Sequence, residues 1–455
     1  TIFIAILLFE FNDVLLEIIT LFFIEGQGRN LWDYQSWSRI IFDLLVFYSI
    51  AKIFIKNKKI INKKLLPWPI YTAILLHFLW YIIELFNIYS VSMFGVIGAS
   101  KIYIYPILFF LGIIQSNLDL RSKEFALVYR FFIFIILAEV ALTYYQTQFK
   151  ESHMILLSPY YIKAMKEGIF TGTHFRPFGT TALPGMISVY LYLTVGFLFL
   201  KSVDYKGNIL KIVTYIGSSL VIVFCQVRSA LVKYLLIIGV IQFGMMFFER
   251  FKPKTVLPVF IIAITLIIGG KTFLLDTDST GDENIDHARS RMSTLTKIDA
   301  LKGERINIDT FTKVVATKLY ENPFGFGPGV TGAASSLIQD DLNHNPLFNK
   351  DQFWAYDSLY ISLIIDMGFG AFFYIFLIFY IPIYLFRYLL VFYKIKDRES
   401  YITLLACSTT LFIILLGNWG AIGLTYNPES FVFWFLASVG LKIINNYRLG
   451  QNKNA

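Results

Sequence analysis

Three arginines in this chain stand where a phosphate could be gripped. Arg176 lies in FRPFGTTALPG, inside a turn made rigid by Pro177 and Gly179, just before an apolar segment. Arg228 lies in QVRSALVKYLL, between two apolar segments with almost no loop between them. Arg305 lies in GERINIDTF, at the start of an amphipathic stretch. A guanidinium is planar, always charged, and offers a fork of donors that matches phosphate oxygens two at a time. Arg291 could join the same grip, and Arg289 and His174 are candidates for other substrate contacts. Structural roles compete with the arginines: headgroup snorkelling for Arg176, a helix-end anchor for Arg228, a solvated face for Arg289, Arg291 and Arg305. Asp357, in YDSLYISLI, and His344, in NHNPLF, could accept a proton from a hydroxyl. Asp357 or Ser358 could equally cap the helix that follows.

Other polar features suggest less chemistry. ENPFGFGPGVTG is a loop signal whose glycines allow close backbone approach to another chain or a ligand. It is no Walker loop, because GK[ST] does not follow. Asp366 sits inside an apolar segment, where it is either structural or lines a cavity. His77 and Glu84 fall on similar faces of one helix and read as a polar packing pair. The two cysteines, Cys225 and Cys407, read as small core residues, with no CxxC pair to suggest zinc or a disulfide framework. No metal site and no cofactor are expected.

The elements that must position these groups are membrane helices. The chain is 56% hydrophobic and only 16% charged, against about 25% charged for an average soluble domain. Hydrophobic runs give about twelve spans in one membrane domain, residues 1–455. They lie near 2–24, 40–55, 66–87, 102–116, 125–146, 182–200, 209–226, 229–248, 255–275, 358–386, 401–417 and 429–446. The tenth is long enough to tilt, or to kink at Pro382. Residues 1–24 carry Glu10, Asp13 and Glu17 and read as a span with one polar face, not as a signal peptide. The expected fold class is an all-α polytopic membrane protein.

Basic loops fix the expected orientation. KNKKIINKK at 56–64, ERFKPK at 249–254 and the stretch from Arg387 to Arg398 all fall on one side, which the positive-inside bias makes cytoplasmic. Both termini fall there too. The net charge of +9 reads as anchoring to anionic lipid, not as nucleic-acid binding. Two long loops then face outward, 147–181 and 276–357. The second contains an amphipathic helix, with Ile308, Phe311, Val315 and Leu319 at helical spacing. Arginines on the outer side escape the positive-inside explanation. With no metal motif beside them, they point to a diphosphate outside the cytoplasm, and there the donor would be lipid-linked.

The segments FRPFGTTALPG, QVRSALVKYLL, GERINIDTFTKVVATKLYENPFGFGPG and YDSLYISLIIDMGFGAFFYIF come in an order that resembles the O-antigen polymerase/ligase superfamily. That superfamily includes O-antigen and capsule polymerases (Wzy) and O-antigen ligases (WaaL). The resemblance covers the span pattern and about residues 170–380. It implies a C-type membrane glycosyltransferase (GT-C-like) that moves a glycan from undecaprenyl diphosphate to an acceptor hydroxyl, outside the bacterial cytoplasmic membrane and without metal. Arg176, Arg228 and Arg305 are then the arginines implied to hold the donor diphosphate. Ligases commonly carry a histidine where this chain has Asp357, so the resemblance leans toward a polymerase, with Asp357 as the base and His344 behind it. The implied partners are the lipid-linked donor and acceptor, membrane lipid, a chain-length regulator and a flippase. The alternatives are a ligase acting on lipid A core or another acceptor, and a lipid-linked oligosaccharide flippase or other transporter. A transporter should show two similar halves, and these halves differ.

Overall fold

Backbone polar groups find no water in hydrocarbon, so a membrane segment must close its hydrogen bonds within itself, which a helix does. Every regular element described is helical. The computed structural model describes residues 65–87, 90, 93–116, 123–148, 216–222, 225, 228–249, 308–331, 358–420, 423–425 and 427–454, with Pro177 and a few positions between 47 and 55. In chain order the helices are α1 (Trp68–Glu84), α2 (Met93–Tyr103), α3 (Tyr105–Gln115), α4 (Lys123–Gln148), α5 (Arg228–Phe248), α6 (Ile308–Glu321), α7 (Leu359–Met367), α8 (Ala371–Lys394), α9 (Arg398–Gly417) and α10 (Asn427–Asn454). Four segments are long and apolar enough to cross a membrane: Gly95–Gln115, Ala230–Phe248, Leu359–Lys394 and Arg398–Gly417. The protein is an α-helical membrane protein. The expected spans at 2–24, 40–55, 182–200, 209–226 and 255–275 lie wholly or mostly outside the described residues.

The chain divides into two compact units. One takes in Thr1–Lys52 and Asp119–Leu301, the other Ile53–Leu118 and Lys302–Ala455. In the first, the described helices are α4, α5 and a short piece at 216–222. Gly217 lets that piece approach α4 closely, since a Cβ there would lie 3.3 Å from Val140. Small residues at such crossings are how membrane helices gain packing contact.

In the second unit α8, α9 and α10 pack on one another, α1 lies against α8, and α3 lies against α10. Trp434 is fully buried and meets Phe110 edge to face at 5.1 Å. Gly440 brings α10 against α8, where a Cβ would come within 2.6 Å of Leu385. α8 buries Leu385, Leu389 and Phe392 on one side and exposes Phe372, Phe376, Ile383, Phe386 and Leu390 on another. Such an apolar outer stripe would be a liability in water and is the expected surface in lipid.

Several expected boundaries differ from those observed. At Pro382, where a kink was one expectation, α8 continues as helix. The break falls instead at Gly368–Gly370, between α7 and α8. α8 also continues past 386 to Lys394, since the buried spacing of Leu385, Leu389 and Phe392 carries helical periodicity through Arg387. The fourth span begins earlier than 102, because Met93–Tyr103 is already helical where a loop was expected. α2 and α3 meet at Ile104, just before Pro106, whose missing N–H removes one bond of the helical ladder. Cys225 and Cys407 are both buried, as expected of small core residues.

Lys442 is a cation inside a span read as apolar. Its Nζ donates to the carbonyl of Ile113 (3.3 Å), to the carbonyl of Ser116 and to Ser116 Oγ (3.3 Å). These groups end α3, where orphan carbonyls carry partial negative charge. Lys442→Met should therefore cost about 1–3 kcal/mol. Thermal unfolding in detergent should show a lowered Tm, and an unchanged Tm would mean that water serves those carbonyls equally well.

Candidate functional site

The break between α7 and α8 leaves backbone groups that no helix can serve. Segment 322–331, the glycine turn, serves them. Phe326 N–H donates to the Ile365 carbonyl at 2.8 Å, Gly327 N–H to the Asp366 carbonyl at 3.0 Å, and Phe369 N–H to the Pro323 carbonyl at 2.9 Å. The turn is re-entrant: residues 325–330 are buried against the broken helix. The close approach that its glycines allow is made to this same chain. Gly368 (φ 52°) and Gly329 (φ 94°) hold a left-handed backbone that a side chain would strain. A Cβ on Gly329 would also lie 2.7 Å from the Gly95 carbonyl oxygen on α2.

Asp366 closes the arrangement. It is fully buried, and its carboxylate receives a donor at every approach. Tyr103 OH (2.9 Å) and Gly329 N–H (3.0 Å) donate to Oδ2. Thr331 N–H (2.9 Å) and Thr331 Oγ1–H (2.7 Å) donate to Oδ1. A buried carboxylate is tolerated when it is supplied with donors in this way.

α1 holds the turn from another side. Trp80 Nε1–H donates to Glu84 Oε1 (2.8 Å) and to the Met367 carbonyl (3.0 Å), the last residue of α7. Its ring stacks on Phe324 at 5.7 Å. Asn87 Nδ2 donates to Glu84 Oε2 (2.8 Å) and to the Gly325 carbonyl (3.1 Å). Asn322 Nδ2 donates to the same carbonyl at 2.6 Å. His77 is buried, and its Nε2–H donates to the Tyr103 carbonyl at 3.2 Å. A carbonyl can only accept, so the proton is on Nε2. His77 and Glu84 thus share a buried helix face, as a packing pair should, but each serves its own partners.

This cluster holds backbone in place. Asp366 has no exposed surface, so no substrate hydroxyl reaches it. Of the residues expected to act on substrate, Arg176, Arg289, Arg291, Arg305, His174, His344 and Asp357 lie outside the described residues. Arg228 is the first residue of α5, with its side chain outside the description. Pro177, next to Arg176, is buried. Ser358, next to Asp357, holds the N-cap position of α7, but its side chain makes no cap bond. The expectation that Ser358 caps through its hydroxyl is therefore not met. The amphipathic helix is present as α6, with Val315 and Leu319 half-buried and Tyr320 exposed. It packs against α7.

Reading from sequence took the glycine turn as a loop open to another chain or a ligand, and took Asp366 as either structural or lining a cavity; the structural role is the one observed. Two signals pointed that way. A carboxylate in an apolar span must find donors within the protein. A turn carrying Phe324 and Phe326 also has the composition of buried chain. No protein-family model matches this chain, and no curated protein matches it either.

Gly329→Ala should lower stability by more than about 1 kcal/mol, from strain at positive φ and the clash with α2. Gly239→Ala in α5, where a Cβ meets nothing within 4 Å, should leave stability unchanged or raised. Thermal unfolding of the two variants side by side checks the difference. Equal Tm values would show that the turn is not docked as described.

Proposed function

We propose that this protein is a polymerase of lipid-linked oligosaccharide repeat units, acting on the outer face of the bacterial cytoplasmic membrane. The observation that carries the reading is the unit formed by α6, the re-entrant glycine turn and α7. Arg305 stands three residues before α6, and Asp357 stands next to the N-cap of α7. A phosphate-gripping cation and a proton acceptor are thus joined by short chain to two helices that pack together. The ordered arginine motifs FRPFG, QVRSAL and GERIN support the same reading. With about twelve spans the fold would be GT-C-like, with both termini cytoplasmic.

The chemistry follows from the residue types. Arg176, Arg228 and Arg305, with Arg291, grip the diphosphate of an undecaprenyl-diphosphate-linked donor. An acceptor sugar hydroxyl on a second lipid-linked unit attacks the anomeric carbon. The new carbon–oxygen bond forms as the bond to the diphosphate breaks. The hydroxyl proton passes to Asp357, with His344 as the alternative acceptor. The arginines stabilise charge that grows on the departing diphosphate, and fixed charges aimed at developing charge are the largest catalytic term in many enzymes. A chain-length regulator and a flippase are the partner classes such a reaction needs.

Purified protein in lipid vesicles, given lipid-linked repeat units alone, should make a ladder of longer glycans. Arg176→Ala, Arg228→Ala and Arg305→Ala should each slow ladder formation about 100-fold or more while the protein still inserts. Asp357→Asn should remove the base. Product only when lipid A core is added would mean a ligase. Movement of labelled lipid across the vesicle with no product would mean a transporter.

A further inference from the structure

We propose that Asp366 is a positioning residue. Through the glycine turn it fixes α6, the helix that Arg305 precedes by three residues in sequence. The inference rests on the polymerase reading for what Arg305 does, and on geometry for everything else.

The mechanical path is short. The Asp366 carboxylate holds Gly329 and Thr331 by three hydrogen bonds, and its carbonyl holds Gly327. The turn leads back through Asn322, which bonds the Gly325 carbonyl and the N–H of Phe324 and so keeps the bend closed. Asn322 N–H in turn donates to the Lys318 carbonyl at 2.9 Å, which continues the ladder of α6. No flexible linker lies between the clasp and the helix. α6 has fourteen residues, a rigid arm of about 21 Å. Arg305 lies three residues beyond its start, within about 10 Å at full extension. A small release at Asp366 is thus carried along α6 as far as its first residue, Ile308.

The packing of α6 makes the clasp necessary. α6 lies on α7 and on the turn at Gly368–Gly370, but much of its surface is exposed. A helix of that length is marginal by itself and takes its place from tertiary contacts. Asp366 holds the turn that continues from α6, through buried bonds for which no water competes. The carboxylate is buried out of reach of any substrate, so its effect on the reaction can only be indirect.

The test uses the full chain in lipid nanodiscs, with Asp366→Asn and the milder Thr331→Val. Asparagine keeps the shape but turns an amide N–H toward a backbone N–H, that of Gly329 or of Thr331, which can only donate. Hydrogen exchange of residues 308–331 should speed up at least about tenfold in Asp366→Asn and by less in Thr331→Val, while α9 and α10 exchange as before. In ladder assays, KM for the lipid-linked donor should rise at least about tenfold in Asp366→Asn, well beyond any fall in kcat, the pattern of a lost binding contact. Unchanged exchange in both variants would overturn the tether. Faster exchange with unchanged donor KM would overturn the positioning role. Ladders absent from the wild-type protein would count against the polymerase reading, and the exchange comparison, which needs no substrate, would still decide the tether.

Discussion

A carboxylate buried inside a membrane span must be surrounded by donors, and Asp366 is. Tyr103 comes from α2, and Gly329 and Thr331 come from the re-entrant turn. Breaking one partner from such a set strands the others in a medium without water, which costs far more than the net worth of each bond. The same constraint acts on the backbone. Irregular chain at membrane depth survives only where protein serves its N–H and carbonyl groups. The break at Gly368–Gly370 and the turn at 322–331 are two irregular segments that satisfy each other. Each is possible because the other is there.

Three other polar side chains of this unit follow the same rule. Glu84 is served by Trp80 and Asn87, and both of these also bond backbone of the break or the turn. Lys442 is served by the carbonyls that end α3. Asn445 Nδ2 donates to the Leu65 carbonyl at 2.7 Å, just before α1. In each case a polar side chain ties the end of a helix to a neighbour distant in sequence. Apolar packing around Trp434 and Gly440 holds the helices side by side, and the polar ties fix where each one ends.

The helical character and many of the spans were legible in sequence because they rest on local composition. α4, α5 and α9 fall within a few residues of the expected runs at 125–146, 229–248 and 401–417. α6 was legible from its apolar spacing. The broken tenth span was not, because the break depends on pairing between residues 323–331 and 365–369, which no local pattern encodes. Pro382 drew attention as a possible kink, and α8 continues as helix through it. Asp366 was visible as an oddity, but its partner Tyr103 stands 263 residues away in the chain. The arginines Arg176, Arg228 and Arg305, with Asp357, were picked out by residue type and by motif order. They belong to the proposed chemistry, and apart from the backbone of Arg228 they lie outside the described residues.

The central claim is that the Asp366 carboxylate bonds the glycine turn inside the span. A double-mutant cycle between Asp366→Leu and Thr331→Val, read by unfolding in mixed micelles, measures that contact directly. Leucine has about the right volume and no acceptor. The account predicts strong coupling, about 1 kcal/mol or more, with Thr331→Val costing little once the carboxylate is gone. Additive effects of the two substitutions would contradict it.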